Sequence, residues 1–273
     1  MMKQHSDELP LHEGSVRSTD GTRIGYLYCG SGPALVFVHG SMATHTDWLP
    51  AARILSANHT CILMDRRGRG RSSFGPAEYS VETESADIAA VIAKTRDFAA
   101  LIGHSYGATC CIEASLRMKL PRVALYEPVL SIAAPIAGAS LEPYCQAVES
   151  ADLDRAVQIG MEDFIRYNSE EIAGLRATRA WKKLQALAPT WGRELRVMDT
   201  LSPNMERFRA MESPVLLLRG SESPEHPMQR TVRELASALP HARVETIEGQ
   251  NHMGLRLAPV EVAEKIEAFL NER

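Results

Sequence analysis

A serine hydroxyl acts as a nucleophile only where the backbone presents it and a base takes its proton. One stretch offers such a presentation: Leu101-Ile102-Gly103-His104-Ser105-Tyr106-Gly107-Ala108, in which Gly103, Ser105 and Gly107 spell G-x-S-x-G. The apolar run 98–102 precedes it and the helix-compatible run 108–119 follows it. Strand, sharp turn and helix in that order form the context of a nucleophile elbow. The turn lifts the hydroxyl clear of the sheet, and the glycines let strand and helix approach closely. The helix start offers free N–H groups and a positive dipole end to a developing oxyanion. Taken alone, the motif also describes a tight turn with a surface serine, so the elements around it decide.

Those elements alternate. Segments 14–19 and 23–29 flank Asp20-Gly21, a hairpin signal. Segments 34–38 and 60–64 are apolar runs of the kind that strands covered on both faces show, and 98–102, 122–126, 214–219 and 242–247 read as further strands. Helical patterns separate them at 47–57, 80–95, 108–119, 228–239 and 259–271. This alternation predicts an α/β protein with a mostly parallel sheet and right-handed crossovers. Chemistry in such sheets gathers at the carboxyl ends of the strands, where His39, Asp65, Ser105 and Glu127 fall.

The rhythm breaks between 129 and 211. Helical patterns follow one another there at 141–150, 153–167, 170–187 and 192–209, with Pro189 and Pro203 as punctuation. This predicts a helical lid inserted into a core made of 1–128 and 212–273. The lid's apolar faces form its own core and, in part, the roof of a pocket, as insertions that exclude water and select substrate do. The loop 65–72 carries four arginines. It lacks the Gly-Lys-Ser/Thr ending of a phosphate-binding loop and reads as a shaped turn with solvated charges.

Composition narrows the class. The 273 residues are 45 % hydrophobic and 23 % charged, with a net charge of −4. That suits a globular protein with a large core and argues against nucleic acid as a partner, which calls for a basic patch. The start of the chain has no apolar segment of the signal-peptide kind, and no run approaches the length of a membrane helix. Five cysteines, at 29, 61, 110, 111 and 145, fit neither a zinc site nor a disulfide framework. A cytoplasmic setting is the expectation. His5 and His12 lie near Asp7, Glu8 and Glu13, but a metal site there is not expected, nor is a cofactor.

His39-Gly40, the 65–72 loop, Gly103 to Gly107, and Gly249-Gln250-Asn251-His252 before the last helix occur in one order. In that order the chain resembles the α/β-hydrolase superfamily over nearly its whole length. The resemblance implies Ser105 as nucleophile and, from the family order Ser, acid, His, His252 as base. It implies oxyanion donors at the backbone N–H of Tyr106 and of Ser41, with Met42 as second choice for the latter. His39 and His104 are read as structural neighbours of the motifs. Many family members carry the acid after the seventh strand as Gly-x-x-Asp. Here Ser223 stands in that place, beside Glu222. A minority arrangement, seen with glutamate in haloalkane dehalogenases, puts the acid after the sixth strand, where Glu127 sits. Glu127 is preferred, with Glu222 as alternative acid, because a carboxylate at a buried strand end is costly without a partner.

The implied activity is cofactor-independent hydrolysis of an ester, lactone or related acyl bond of a small to medium apolar substrate through an acyl-enzyme. Carbon–carbon bond hydrolysis or lyase chemistry on the same residues, a low-turnover ligand-binding protein, and an interaction module acting through the lid are the alternatives. The elbow context carries a direct expectation: a fluorophosphonate probe modifies Ser105 and no other serine. Peptide mapping checks it, and a label elsewhere, or none despite esterase turnover, removes the assignment.

Overall fold

The computed structural model describes residues 10–75, 78–132, 134–201 and 204–272. The segment containing His5, Asp7 and Glu8 lies outside the described residues. Eight strands form one sheet in the order β1-β2-β4-β3-β5-β6-β7-β8. They are β1 (His12–Arg17), β2 (Arg23–Cys29), β3 (Ala34–Val38), β4 (Thr60–Met64), β5 (Phe98–His104), β6 (Val123–Tyr126), β7 (Val215–Gly220) and β8 (Ala242–Ile247). β2 runs antiparallel to β1 and β4, and the other pairs are parallel.

The middle strands lack polar alternation because both their faces are covered. Val36, Ile62 and Leu101 belong to one apolar core, and Leu35, Leu63 and Ile102 to the core across the sheet. The helices that flank the sheet are α1 (Leu49–Leu55), α2 (Val81–Ile92), α3 (Tyr106–Ser115), α8 (Arg230–Ala238), α9 (Gly254–Leu257) and α10 (Pro259–Leu270). Among the described residues, no helix is long and apolar enough to cross a membrane.

Between β6 and β7 lie α4 (Leu141–Glu149), α5 (Leu153–Ile159), α6 (Ser169–Arg176) and α7 (Arg179–Thr200). Their boundaries differ from the sequence expectation. The chain breaks at Thr178, in extended conformation, whose side chain accepts a hydrogen bond from the Ala180 amide. Helix α7 then runs straight through Pro189. A proline removes one helical hydrogen bond, but the face of Trp181, Ala188, Trp191, Leu195 and Met198 is buried. That burial outweighs the local cost.

The 65–72 loop requires a larger correction, because its charges are not solvated. Arg66, Arg67 and Arg69 are 0 %, 1 % and 2 % exposed. Burying guanidinium groups demands paired carboxylates, and these arrive from distant elements. Arg66 meets Glu84 of α2 and Glu194 of α7, each at 2.7 Å. Arg67 meets Asp87 of α2 at 2.7 Å and Asp20 of the β1–β2 turn at 3.0 Å. Arg69 meets Glu194 at 2.5 Å. Only Arg71, paired with Glu13, is partly open to solvent.

Removing one partner of a buried pair leaves an uncompensated charge, whereas replacing both by apolar groups is nearly neutral. Arg67→Met is therefore expected to cost about 3–5 kcal/mol. The double variant Arg67→Met/Asp87→Leu recovers most of that, as urea unfolding midpoints would reveal.

Candidate functional site

β5 runs directly into Ser105, which holds φ 54° and ψ −128°, and α3 starts at the next residue. Positive φ is uncommon for a residue with a side chain and persists only where its surroundings hold it. Here the two glycines allow the contact. A Cβ at Gly107 would lie 2.3 Å from the carbonyl oxygen of His39, and one at Gly103 would lie 2.6 Å from Cα of Ala108. The serine side chain faces a cavity of about 740 Å³.

Ser41, Met42, His104, His252 and Arg256 line the same cavity, as do Met161, Ile165, Leu175, Leu184, Leu187 and Trp191 from the segment between β6 and β7. That segment's apolar faces thus form a wall of the pocket as well as packing on one another. At the cavity edge Arg179 and Lys183 of α7 stand one helical turn apart.

His252 sits in the loop after β8. Its Nδ1 lies 2.7 Å from Oε2 of Glu127. Glu127 follows β6 with φ 44° and is fully buried. Its other oxygen, Oε1, accepts the Gly220 amide at 2.8 Å. A carboxylate facing Nδ1 places the ring proton there and leaves Nε2 free to accept.

Glu222 is exposed. It lines a small second cavity beside His252 with Arg166, Glu171 and Asn251. The imidazole bonds to Glu127 instead. Ser223 is buried, and its hydroxyl has no partner among the described residues.

His104 is buried against His252, with ring centroids 4.5 Å apart, and its Nε2 donates to the His252 carbonyl at 2.9 Å. Burial, then the neighbouring His252, holds its pKa well below the ordinary value, so the ring is neutral. His39 accepts the Arg66 amide on Nε2 at 3.1 Å and donates from Nδ1 to the Gly40 carbonyl at 2.8 Å. Burial and the adjacent guanidinium groups push its pKa down to about 3. Both histidines thus brace loops and stay uncharged. His12 lies in β1, stacked on Tyr28. Among the described residues, no group of three or more His, Cys, Asp and Glu is arranged to hold a metal.

The loop after β3 touches the elbow: a Cβ on Gly40 would lie 2.9 Å from Cβ of Ser105. Ser41 and Met42 follow. Tyr106 is the first residue of α3, so its amide precedes the intrahelical ladder.

Glu194 is a residue the sequence reading did not single out. It is fully buried and joins Ser41, Arg66 and Arg69. Burial raises its pKa, but the two guanidinium charges outweigh that and hold the carboxyl at about 2. A signal was present: Glu194 stands among Trp191, Leu195 and Met198, and Glu84 and Asp87 stand among Val81, Ile88 and Val91. A carboxylate inside an apolar helix face must have a buried cation to meet.

The sheet order, the elbow after β5 and the histidine loop after β8 define a hydrolase of the α/β class. The model of the alpha/beta hydrolase family matches residues 35–265, and the chain belongs to that family. An alpha/beta hydrolase from Sphaerobacter thermophilus DSM 20745 superposes with a TM-score of 0.83 at 29 % identity, covering 94 % of this chain and 100 % of that one. A 2-(acetamidomethylene)succinate hydrolase of Mesorhizobium japonicum is 25 % identical over 260 residues, 89 % of each chain. A non-heme chloroperoxidase of Streptomyces lividans is 25 % identical over 274 residues, 94 % of this chain and 99 % of that protein.

Proposed function

We propose that this enzyme is a serine hydrolase that cleaves an ester, lactone or related acyl bond through Ser105, His252 and Glu127. One observation carries the reading: His252, which shares a cavity with Ser105, holds its Nδ1 2.7 Å from the buried carboxylate of Glu127. In this scheme Nε2 of His252 takes the Ser105 proton as Oγ attacks the acyl carbon. Glu127 keeps the ring in the right tautomer and stabilises the imidazolium that forms. The amides of Tyr106 and Ser41 receive the charge that develops on the carbonyl oxygen. His252 returns its proton to the leaving group, and water then releases the acyl-enzyme by the same steps in reverse order.

The cavity lining supports a mainly apolar substrate body. Its edge supports a further feature. Arg256 is paired with Asp47, whose carboxylate also attracts Lys183 at longer range, and among the described residues no salt bridge joins a carboxylate to Arg179 or Lys183. Three cations facing one carboxylate leave the cavity edge net positive, which favours a substrate whose far end is anionic. The Mesorhizobium relative, named for a succinate substrate, is in line with that.

Hydrolysis of p-nitrophenyl esters from acetate to octanoate tests the triad. Glu127→Gln keeps the size and removes the charge, and it is expected to lower kcat by roughly 10³ to 10⁴, as amide replacement of a triad acid does. Glu222→Gln is expected to cost less than about tenfold, since a group that only borders the histidine contributes little. The reverse ranking moves the acid to Glu222.

The mouth is tested with paired substrates that differ only in a terminal carboxylate or its methyl ester. The anionic member is expected to have a KM roughly 3- to 10-fold lower, the range of two exposed ion pairs. Arg179→Gln/Lys183→Gln, or high salt, removes the difference while leaving kcat in place. Equal KM values in the wild type reject the anionic end and leave the triad untouched.

A further inference from the structure

The chain segment that would supply the second oxyanion donor is braced from within at Gly40, by His39, but at Ser41 it is held by a distant element. Met42 is buried with φ 54°, a backbone region that long side chains seldom occupy. Such a residue stays there only when neighbouring groups over-determine it. The neighbour that grips this loop is a carboxylate from the segment between β6 and β7: the Ser41 hydroxyl donates to Oε2 of Glu194 at 2.6 Å. The other oxygen, Oε1, accepts from Arg66 at 2.7 Å and from Arg69 at 2.5 Å. Arg66 in turn donates to the Gly40 carbonyl at 3.4 Å, and its guanidinium lies 4.7 Å from the centroid of the Tyr106 ring. One buried ion cluster therefore touches both residues whose amides face the oxyanion in the proposed scheme. It also belongs to α7, the helix that contributes Leu184, Leu187 and Trp191 to the pocket wall.

We propose that Glu194 is a positioning residue: by holding the Ser41 hydroxyl, it sets the amide of loop 39–42 in the oxyanion hole and couples that hole to the seating of α7. The proposal rests on Ser105 being the nucleophile. Its physical basis is directional. A charge-assisted bond is short and specific in angle, whereas the apolar contacts of α7 tolerate small shifts. Without the carboxylate, the serine side chain has nothing to fix its rotamer, and the strained Met42 can relax and turn the neighbouring amide away.

The test uses the full-length enzyme, p-nitrophenyl butyrate, and a trifluoromethyl ketone as a probe that draws on both oxyanion donors. Losing one oxyanion donor costs about 10² to 10³ in kcat. Glu194→Gln is expected to lower kcat about 10²-fold with KM within about threefold, and to weaken the ketone in parallel. Ser41→Ala, which keeps the amide and removes only the hydroxyl, is expected to match it. The double variant should lose no more than the worse single one, because both act on one bond. Ser41→Thr restores the hydroxyl and should recover most of the rate. Thr190→Val, which cuts two bonds from Arg69 to the same helix without touching Ser41, should lower Tm and leave kcat in place.

Unchanged kcat and ketone affinity in Ser41→Ala, in an enzyme that turns over and labels at Ser105, overturn the proposal even if Glu194→Gln does not fold. A wild type that neither turns over nor labels at Ser105 removes the nucleophile reading, and this proposal with it.

Discussion

A carboxylate with no exposure to water is tolerated only where donors replace the water it has lost. Glu127 meets that demand with two bonds, to the Gly220 amide and to the His252 ring. Each bond ties a different element to the end of β6. Gly220 closes β7, the neighbouring parallel strand, and His252 lies beyond β8. The strand ends, the histidine loop and the carboxylate are thus mutually dependent. Gly220 itself must lack a side chain, since a Cβ there would lie 2.3 Å from the Gln250 carbonyl oxygen. The loop that carries the histidine is pressed against the strand that holds its acid.

A second buried charge system reaches the pocket lining at Ser41. The arginines after β4 draw carboxylates from the β1–β2 turn, from α2 and from α7. A guanidinium presents five donors in a fixed plane, so Arg66 can serve Glu84, Glu194, the Tyr79 hydroxyl and the Gly40 carbonyl at once. The apolar cores on the two faces of the sheet supply the bulk of the folding free energy, in proportion to area and without direction. The ion clusters supply little net stability for their number. What they add is a defined position for the segments they join.

Much of this was legible in the sequence, and the rest was hidden for physical reasons. Strands buried on both faces announce themselves by unbroken apolar runs, so β3 and β4 fall where the pattern puts them. The elbow is local, with both glycines and the serine inside five residues and the flanking strand and helix directly adjoining the serine. The choice between Glu127 and Glu222 followed from the cost of a buried strand-end carboxylate, and the side chains now stand on opposite sides of that distinction, one buried and one exposed. The arginines were misread because their partners lie up to 128 residues away, and local sequence cannot tell a solvated guanidinium from one awaiting a distant carboxylate. Pro189 misled for a related reason: its local cost is visible, whereas the tertiary burial of Trp191 and Leu195 that offsets it is not.

The two charge systems differ in what they can do for a reaction. In the proposed scheme Glu127 acts on a single ring and fixes a tautomer, which is a demand of the chemistry alone. Glu194 acts on a backbone loop from a helix that also lines the pocket, so a shift of that helix changes both the shape offered to a substrate and the placement of the Ser41 hydroxyl. A helix held only by apolar contact could slide by fractions of an ångström at little cost. A helix held by a carboxylate between two guanidinium groups cannot slide without stretching bonds of 2.5 to 2.7 Å. Helix α7, which lines the pocket, is thereby kept in register with loop 39–42, which supplies an oxyanion donor in the proposed scheme.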